Sequence, residues 1–157
     1  MFVIPNNKPM KKIFFFYAFL TASFTSNAQN YFAGTSPDGV EELYIMSVTA
    51  NRTTNSMTVF DRIKPVEGKL PEFRHKLAKN KDKETETEDF SKVGYIRRKV
   101  QISCYAKKYR IMECTYYEIA GKVIEKVEYS EDDTPWSVLP KGSLVETEFK
   151  KVCAKAK

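Results

Sequence analysis

The sequence predicts an α+β domain in which a single antiparallel sheet of about five or six strands is covered on one face by a C-terminal helix. Three observations predict this fold class. Apolar and polar residues alternate in the second half of the chain, and helical spacing replaces the alternation near the C-terminus. A cysteine lies on the apolar side of each of these two segments, so a disulfide between them would tether the helix to the sheet.

The N-terminal residues 1–28 have the composition of a cleavable secretory signal. Lys11 and Lys12 precede an apolar run over residues 13–20, and small residues follow at Ser26 and Ala28. We expect cleavage after Ala28 and export to the periplasm, the cell surface or the medium. The apolar run is shorter than the stretch of about 20 residues that spans a bilayer. A retained N-terminal anchor is the alternative.

The mature chain of 129 residues is large enough for one domain and too small for two ordinary ones. The signal removes three of the 26 basic residues and no acidic ones, so the formal charge falls from +6 to +3. This mild charge does not indicate a nucleic-acid partner, and no stretch after residue 28 resembles a transmembrane span. We expect a flexible segment over residues 29–42, followed by a single domain over residues 43–157.

Strand signals begin after residue 42. β-Branched and aromatic residues fill positions 43–50 and 57–64, with turn residues between them, which predicts a hairpin. The charged stretch over residues 65–92 favours a solvated loop or a short polar helix. It includes His75, the only histidine of the chain, and no Ser or Cys motif near it indicates catalysis.

The clearest strand covers residues 96–105, where the even positions are mainly apolar and the odd positions polar. After a short turn, a second strand is predicted over residues 109–119 and a third over residues 122–129. If the even residues of the first two strands both face inward, Ile102 lies opposite Met112. The three strands together predict a meander that the N-terminal hairpin extends.

The C-terminal segment over residues 143–154 is predicted to be an amphipathic helix. Ser143 and Glu146 have the spacing of a capping box, and acidic residues precede basic ones, as the helix dipole favours. Glu148 is among the polar residues expected away from the sheet. The apolar stripe that should face the sheet comprises Val145, Phe149, Val152, Cys153 and Ala156.

Three cysteines in an exported chain allow three alternative single bridges. The predicted register does not place Cys104 and Cys114 opposite each other. Cys153 lies on the helix stripe that packs on the same face as Cys104, which favours a Cys104–Cys153 bond, and Cys114–Cys153 is the alternative. We expect the remaining thiol to be a buried small hydrophobe rather than a nucleophile, because no base is near it.

An ordered set of residues in the second half of the mature chain matches a known family pattern. The set comprises Cys104 followed by YAKKYRI, the strand CTYYEIAGKVIE, Trp136, the run VLPKGSLVE and the final Cys153. Over residues 92–153 the chain therefore resembles the surface-adhesin protein E family. The resemblance implies an antiparallel sheet of about six strands, with a C-terminal helix tethered to its concave side by a disulfide.

The resemblance also implies a function and partners. It implies a surface protein that engages host extracellular-matrix proteins such as laminin and vitronectin, together with plasminogen, and that can form a homodimer. Two features depart from the family pattern: the chain lacks the lipid-accepting cysteine, and Cys114 is an additional one. The ligand-binding residues of the family are therefore not transferred to this sequence.

No arrangement of residues indicates an enzyme, a cofactor or a metal ion. The sequence has no Gly-rich phosphate loop, no Cys or His pair at metal spacing and no Ser nucleophile elbow. The acidic run over residues 131–133 is expected to be a solvated turn rather than a calcium site. We therefore expect a non-enzymatic binding module that engages extracellular or envelope protein partners. The alternative is a periplasmic or envelope protein with a structural or stress-related role and no host ligand.

The outer face of the predicted sheet is the candidate contact surface for a partner. Tyr and Arg are enriched at the hot spots of interfaces, although cross-strand pairs on a solvated face are the alternative explanation. The predicted register places Tyr105 opposite Tyr109 on this face, and Trp136 is expected to pack over the rim of the sheet. The candidate residues are Arg97, Lys99, Tyr105, Lys107, Lys108, Tyr109 and Tyr117.

Overall fold

The computed structural model describes residues 30–81, 89–132 and 134–154, so the predicted signal over residues 1–28 lies outside the described part. The described strands form one antiparallel sheet in the order of the sequence, and the two-residue seventh strand pairs with the fifth. The elements are β1 (Tyr31–Thr35), β2 (Glu41–Asn51), β3 (Ser56–Pro65), α1 (Leu70–Lys79), β4 (Val93–Ser103), β5 (Lys108–Glu118), β6 (Val123–Glu128), β7 (Ser137–Val138) and α2 (Leu144–Cys153), with a 3-10 turn at Phe90–Lys92.

The predicted fold class is confirmed. The sheet is a meander in which each strand from β1 to β6 pairs with its neighbour in the sequence. The described residues differ from the prediction in two ways, because they form seven strands rather than five or six and include the second helix, α1. Phe73 of α1 and Val152 of α2 both belong to the buried core, so we call the face that the helices cover the inner face. The opposite face of the sheet is the outer face.

The alternation predicted for β4 is confirmed by the burial of its side chains. Ile96, Val100 and Ile102 are buried in the core, whereas Arg97 and Lys99 are half-buried on the outer face. Each fully buried aliphatic side chain of this kind contributes roughly 1.5–3 kcal/mol relative to exposure. The inner residues of β4 therefore fix which side of the sheet receives the helices.

The predicted register between β4 and β5 is wrong. Ile102 lies opposite Tyr109 rather than Met112, because the hairpin turn contains the four residues 104–107 and a β-bulge leaves Met112 unpaired. Lys107 accommodates the turn with a positive φ of 53°. A bulge shifts all side chains beyond it relative to simple alternation, so Tyr109 faces the inner side and packs against the core.

A second bulge, at Gly94 in β4, depends on the absence of a side chain. Gly94 is buried, and the register between β4 and β5 shifts between Val93 and Tyr95. A Cβ atom at Gly94 would lie 2.5 Å from the backbone nitrogen of Ile119. Glycine is required here because the approaching atom belongs to the backbone and cannot rotate away.

Helix α2 has the cap that the sequence predicts. The backbone nitrogen of Glu146 donates to Oγ of Ser143 over 3.1 Å, and the Glu146 carboxylate accepts from the backbone nitrogen of Gly142 over 2.6 Å. Val145 and Val152 of the predicted apolar stripe are buried. Phe149 and Cys153 pack against the core, and Ala156 lies outside the described residues.

The position predicted for Glu148 is wrong, because this residue is fully buried under α2. There it joins Asp61 of β3 and Arg98 of β4 in a buried charged cluster, which we call the Asp61–Arg98–Glu148 cluster. Nε of Arg98 donates to Oδ2 of Asp61 over 3.1 Å, and Nη2 of Arg98 lies 3.6 Å from Oε2 of Glu148. Neither carboxyl oxygen of Glu148 has a hydrogen-bond partner among the described residues. Two acids therefore share one guanidinium inside the domain.

The environment of this cluster changes the pKa values of its members in defined directions. Burial and then the charge of Asp61 raise the pKa of Glu148 well above its ordinary value, although Arg98 opposes this. Burial acts against the charged form of Arg98, but the charge and hydrogen bonds of Asp61 prevail and raise its pKa. Arg98 is therefore held as a cation paired mainly with Asp61, while the ionised form of Glu148 is disfavoured.

The charged stretch over residues 65–92 contains α1, in agreement with the short-helix alternative; residues 82–88 lie outside the described part. Phe73 is its buried anchor. Lys76 connects the helix to the sheet through ion pairs with Asp38, at 2.8 Å, and with Glu41. Hydrogen bonds from Lys76 and Ser36 lower the pKa of Asp38 to about 2.

The sheet begins earlier than the sequence analysis suggests. The segment 29–42, expected to be flexible, contains β1 and the first residues of β2. β1 pairs with β2 along one edge and lies close under α2, since a Cβ atom at Gly34 would be 2.8 Å from Cγ2 of Thr147. The strand is short and rich in small residues, so its position depends on these neighbours rather than on its own sequence pattern.

The disulfide that favours this arrangement is present. Cys104, at the end of β4, is bonded to Cys153, at the end of α2, and their Cα atoms are 5.6 Å apart. Cys114 is free and buried, as predicted for the remaining thiol. The bond closes a loop with a sequence separation of 49 residues and ties the last turn of α2 to the middle of the chain.

Candidate binding surface

The outer face of the sheet has no helix over it in the described part of the chain, and aromatic and cationic side chains lie in a row across four of its strands. The cross-strand register brings them together: Tyr44 pairs with Arg62, Arg62 pairs with Arg97, and Tyr95 pairs with Tyr117. All are half-buried. We call these five residues, Tyr44, Arg62, Tyr95, Arg97 and Tyr117, the aromatic–cation row.

The side chains of the row are stacked on one another. The rings of Tyr95 and Tyr117 are parallel within 6°, with centroids 4.8 Å apart. The guanidinium of Arg97 lies 5.1 Å from the centroid of Tyr117 and 5.8 Å from that of Tyr95. The guanidinium of Arg62 lies 5.5 Å from Tyr44 and 6.0 Å from Tyr95. Each contact is within the range of a cation–π interaction, so the row is a rigid surface rather than a set of independent side chains.

Carboxylates neutralise the lysines at the borders of the row. Lys64 lies 3.2 Å from Glu42, and hydrogen bonds to Tyr44 and Glu42 raise its pKa. Lys126 pairs with Glu113 at 3.1 Å and with Glu128, and these hydrogen bonds raise its pKa. The lysines at the borders are therefore engaged within the domain, in contrast to the two arginines of the row.

Two cavities lie on the outer face beside Phe60, whose side chain is 41% exposed. One has a volume of about 440 Å³, and Met46, Arg97 and Tyr117 contribute to its wall. The other has a volume of about 560 Å³ and includes Lys99. The outer face thus offers concave sites next to its cations, in addition to the flat stacked row.

The residues predicted for the contact surface divide into three groups. Arg97, Lys99 and Tyr117 lie together on the outer face. Tyr105, Lys107 and Lys108 are exposed at the β4–β5 hairpin, away from the row, and Tyr105 is 90% exposed. Tyr109 lies on the inner face instead, for the reason given by the register.

Sequence reasoning missed Tyr44, Arg62 and Tyr95. Tyr44 stands between the buried Leu43 and Ile45, so the alternation of β2 already contains a signal for its outward position. The same holds for Arg62, which stands between two buried residues of β3. Their alignment with Arg97 depends on the order of the strands, which the alternation of a single strand does not reveal.

The inner face also contains an open groove, between the C-terminal end of α1 and the N-terminal end of α2. Its volume is about 790 Å³, and Ile111, Tyr109, Tyr116 and Tyr129 contribute to its wall. Lys76 and Arg98 also line it, but both are already paired with carboxylates of the domain. The charged groups of the groove are therefore occupied, unlike the arginines of the outer face.

Trp136 and the acidic turn that precedes it form a separate structural contact. Arg110 stacks over the ring of Trp136 at 4.8 Å and pairs with Glu131 at 3.0 Å. Among the described residues, no group of three or more His, Cys, Asp and Glu side chains is arranged to hold a metal ion; Asp133 lies outside them. Both described helices are also too short and too polar to cross a membrane.

The fold and the open face together define a class of protein: a small α+β domain that is closed by one disulfide, with both described helices on one face and an aromatic and cationic surface on the other. The family model of surface-adhesin protein E matches residues 34–154, and the chain belongs to this family. No curated protein and no solved structure matches it. Membership in the family indicates a surface adhesin-like protein, and together with the disulfide it indicates export.

Proposed function

We propose that the mature chain is an exported, non-enzymatic binding module that engages extracellular-matrix or envelope proteins through its outer face. The aromatic–cation row is the single observation that supports this surface. It combines residue types typical of interface hot spots with a rigid arrangement, so a partner binds without ordering these side chains first. Family membership supports the adhesin-like role.

Several parts of the proposal remain predictions. Signal cleavage near Ala28 would be checked by the mass of the protein isolated from cells. Dimerisation, which the family resemblance implies, would be checked by sedimentation of the mature chain. Tyr105, Lys107 and Lys108 are proposed as a secondary contact, since their hairpin is exposed but lies away from the row.

Charge reversal on the outer face is expected to abolish most of the partner binding. In the Arg97→Glu, Lys99→Glu variant, binding to immobilised matrix or outer-membrane proteins should fall at least about tenfold, the equivalent of about 1.4 kcal/mol. Surface plasmon resonance would measure this loss. Circular dichroism and the urea unfolding midpoint should stay close to those of the wild type, because neither residue has an ion pair among the described residues.

The matched control is the Lys79→Glu, Lys151→Glu variant, which makes the same change of net charge on exposed residues of the two helices. Equal losses in the two variants would mean that total charge rather than the outer face determines binding. Protease treatment of intact cells tests the alternative role within the envelope. A mature protein that is fully protected from the protease would favour that role over adhesion.

A further inference from the structure

Arg62 and Arg97 lie side by side on neighbouring strands, although they have the same charge. They are direct register partners of β3 and β4. Like charges directly opposite each other destabilise a sheet, so this pair is unfavourable for the isolated domain. Nε of each arginine is buried and has no hydrogen-bond partner, and neither guanidinium has an ion pair among the described residues. The domain thus lacks an anion at this point of its surface.

Tyrosines hold the two arginines in place. Arg62 is in contact with Tyr44 and Tyr95, and Arg97 with Tyr95 and Tyr117. The cation–π contacts offset part of the repulsion and restrict the motion of both guanidinium groups. Two fixed guanidiniums are well suited to an oxyanion, since each offers planar, forked hydrogen-bond donors.

The cavity beside Arg97 indicates the type of molecule that bears this anion. Met46, Phe60 and Tyr117 give its wall an apolar character, and its volume of about 440 Å³ has room for an aliphatic or aromatic side chain. A ligand that fills this cavity while it reaches the arginines needs an apolar group next to an acidic one. A peptide segment offers both, whereas a sulfated polysaccharide offers only the anion.

We infer that the Arg62–Arg97 pair binds the carboxylate of an acidic protein segment, and that an apolar side chain of the same segment occupies the cavity lined by Met46, Phe60 and Tyr117. This inference rests on the proposed function and names the chemistry of the partner at the same surface. The partner's acid supplies the charge that the row lacks, so affinity is expected to decrease as the salt concentration rises.

Binding of a labelled synthetic peptide tests the inference. The probe has the repeated sequence Glu-Glu-Leu-Glu-Glu, and a matched peptide has glutamine in place of glutamate. Fluorescence anisotropy with the mature protein should show at least about tenfold tighter binding of the acidic peptide. The Arg62→Gln and Arg97→Gln variants should each lose at least about tenfold in affinity, and Arg97→Lys should recover part of the loss because it restores charge without the fork.

Lys126→Gln is the control variant, because this outer-face lysine is already paired with Glu113 and Glu128. It should change the affinity less than about twofold. Equal binding of the two peptides, or unchanged affinity in both arginine variants, would overturn the inference. Tighter binding of a heparin-derived oligosaccharide that displaces the peptide would also overturn it, in favour of a polysaccharide.

The outcome separates this inference from the proposed function. If the acidic peptide fails to bind, but charge reversal at Arg97 and Lys99 still weakens binding of matrix or envelope proteins, only the carboxylate assignment is wrong. If neither experiment shows an effect, the outer face is not the contact surface and both proposals fail.

Discussion

Replacement of Cys104 and Cys153 by serine is expected to destabilise the domain by roughly 4 kcal/mol, on the chain-entropy estimate for a loop of this length. The bond joins α2 to the end of β4, so the unfolded chain gains most of its additional freedom in the segment between the two residues. A loss of this size is a large share of the 5–15 kcal/mol that stabilises a typical domain. It should lower the urea unfolding midpoint by more than about 1 M.

A reductant supplies the internal control for the disulfide. Dithiothreitol should lower the unfolding midpoint of the wild type towards that of the double variant and should leave the double variant itself unchanged. Cys114→Ala should have a much smaller effect, because Cys114 is free and forms no covalent link. Identical midpoints for the wild type with and without reductant would show that the bond does not stabilise the domain.

Substitutions in the Asp61–Arg98–Glu148 cluster are expected to have effects of opposite sign. Asp61→Asn removes the main partner of a buried guanidinium and should destabilise the domain by about 3–5 kcal/mol. Glu148→Gln removes an acid that has no hydrogen-bond partner and whose ionised form is disfavoured. At pH 8 it should therefore stabilise the domain, by about 1–2 kcal/mol.

The effect of Glu148→Gln should depend on pH in a direction set by the raised pKa of Glu148. Below the ordinary pKa of 4.5, this carboxyl is protonated in both the folded and the unfolded chain and the variant should differ little from the wild type. As the pH rises above that value, the unfolded chain releases the proton first, which favours unfolding. The stability of the wild type should then fall relative to the variant until the pH passes the raised pKa of the folded state.

Urea unfolding at several pH values from 4 to 8 would measure this difference. The groups that face Glu148 are Asp61 and Arg98, and Tyr31 of β1, whose own pKa is raised by burial and by the charge of Glu148. A constant difference over the whole range would mean that Glu148 has an ordinary pKa in the folded state. A less stable Glu148→Gln variant at pH 8 would mean instead that its negative charge is needed beside Arg98.

The elements that the sequence predicted well have short-range causes. The alternation of Ile96, Val100 and Ile102 identified the inner side of β4. Ser143 and Glu146 marked the start of α2 because a helix cap involves residues only three positions apart. The bond between Cys104 and Cys153 followed from the apolar side of each element, since a helix stripe and a sheet face that pack together bring such residues close.

The candidate surface was predicted only in part. Arg97, Lys99 and Tyr117 were placed correctly on the outer face, because they lie on the polar side of strands with a recognisable pattern. Tyr109 was placed on the wrong face, because neither the four-residue turn nor the bulge at Met112 has a decisive local signal. A single inserted residue moves every following side chain to the opposite face, so a small error in the turn becomes an error in the site.

The sequence by itself determined the class of fold, the start of α2 and the residues that form the disulfide, because periodicity, capping and the side of an element are local properties. Only the tertiary structure decided that Arg62 stands beside Arg97 and that Glu148 is buried with Asp61 and Arg98. The physical reason is the same for both groups. Their members come from distant parts of the chain, and strand register and helix docking bring together like charges that no local pattern would place side by side.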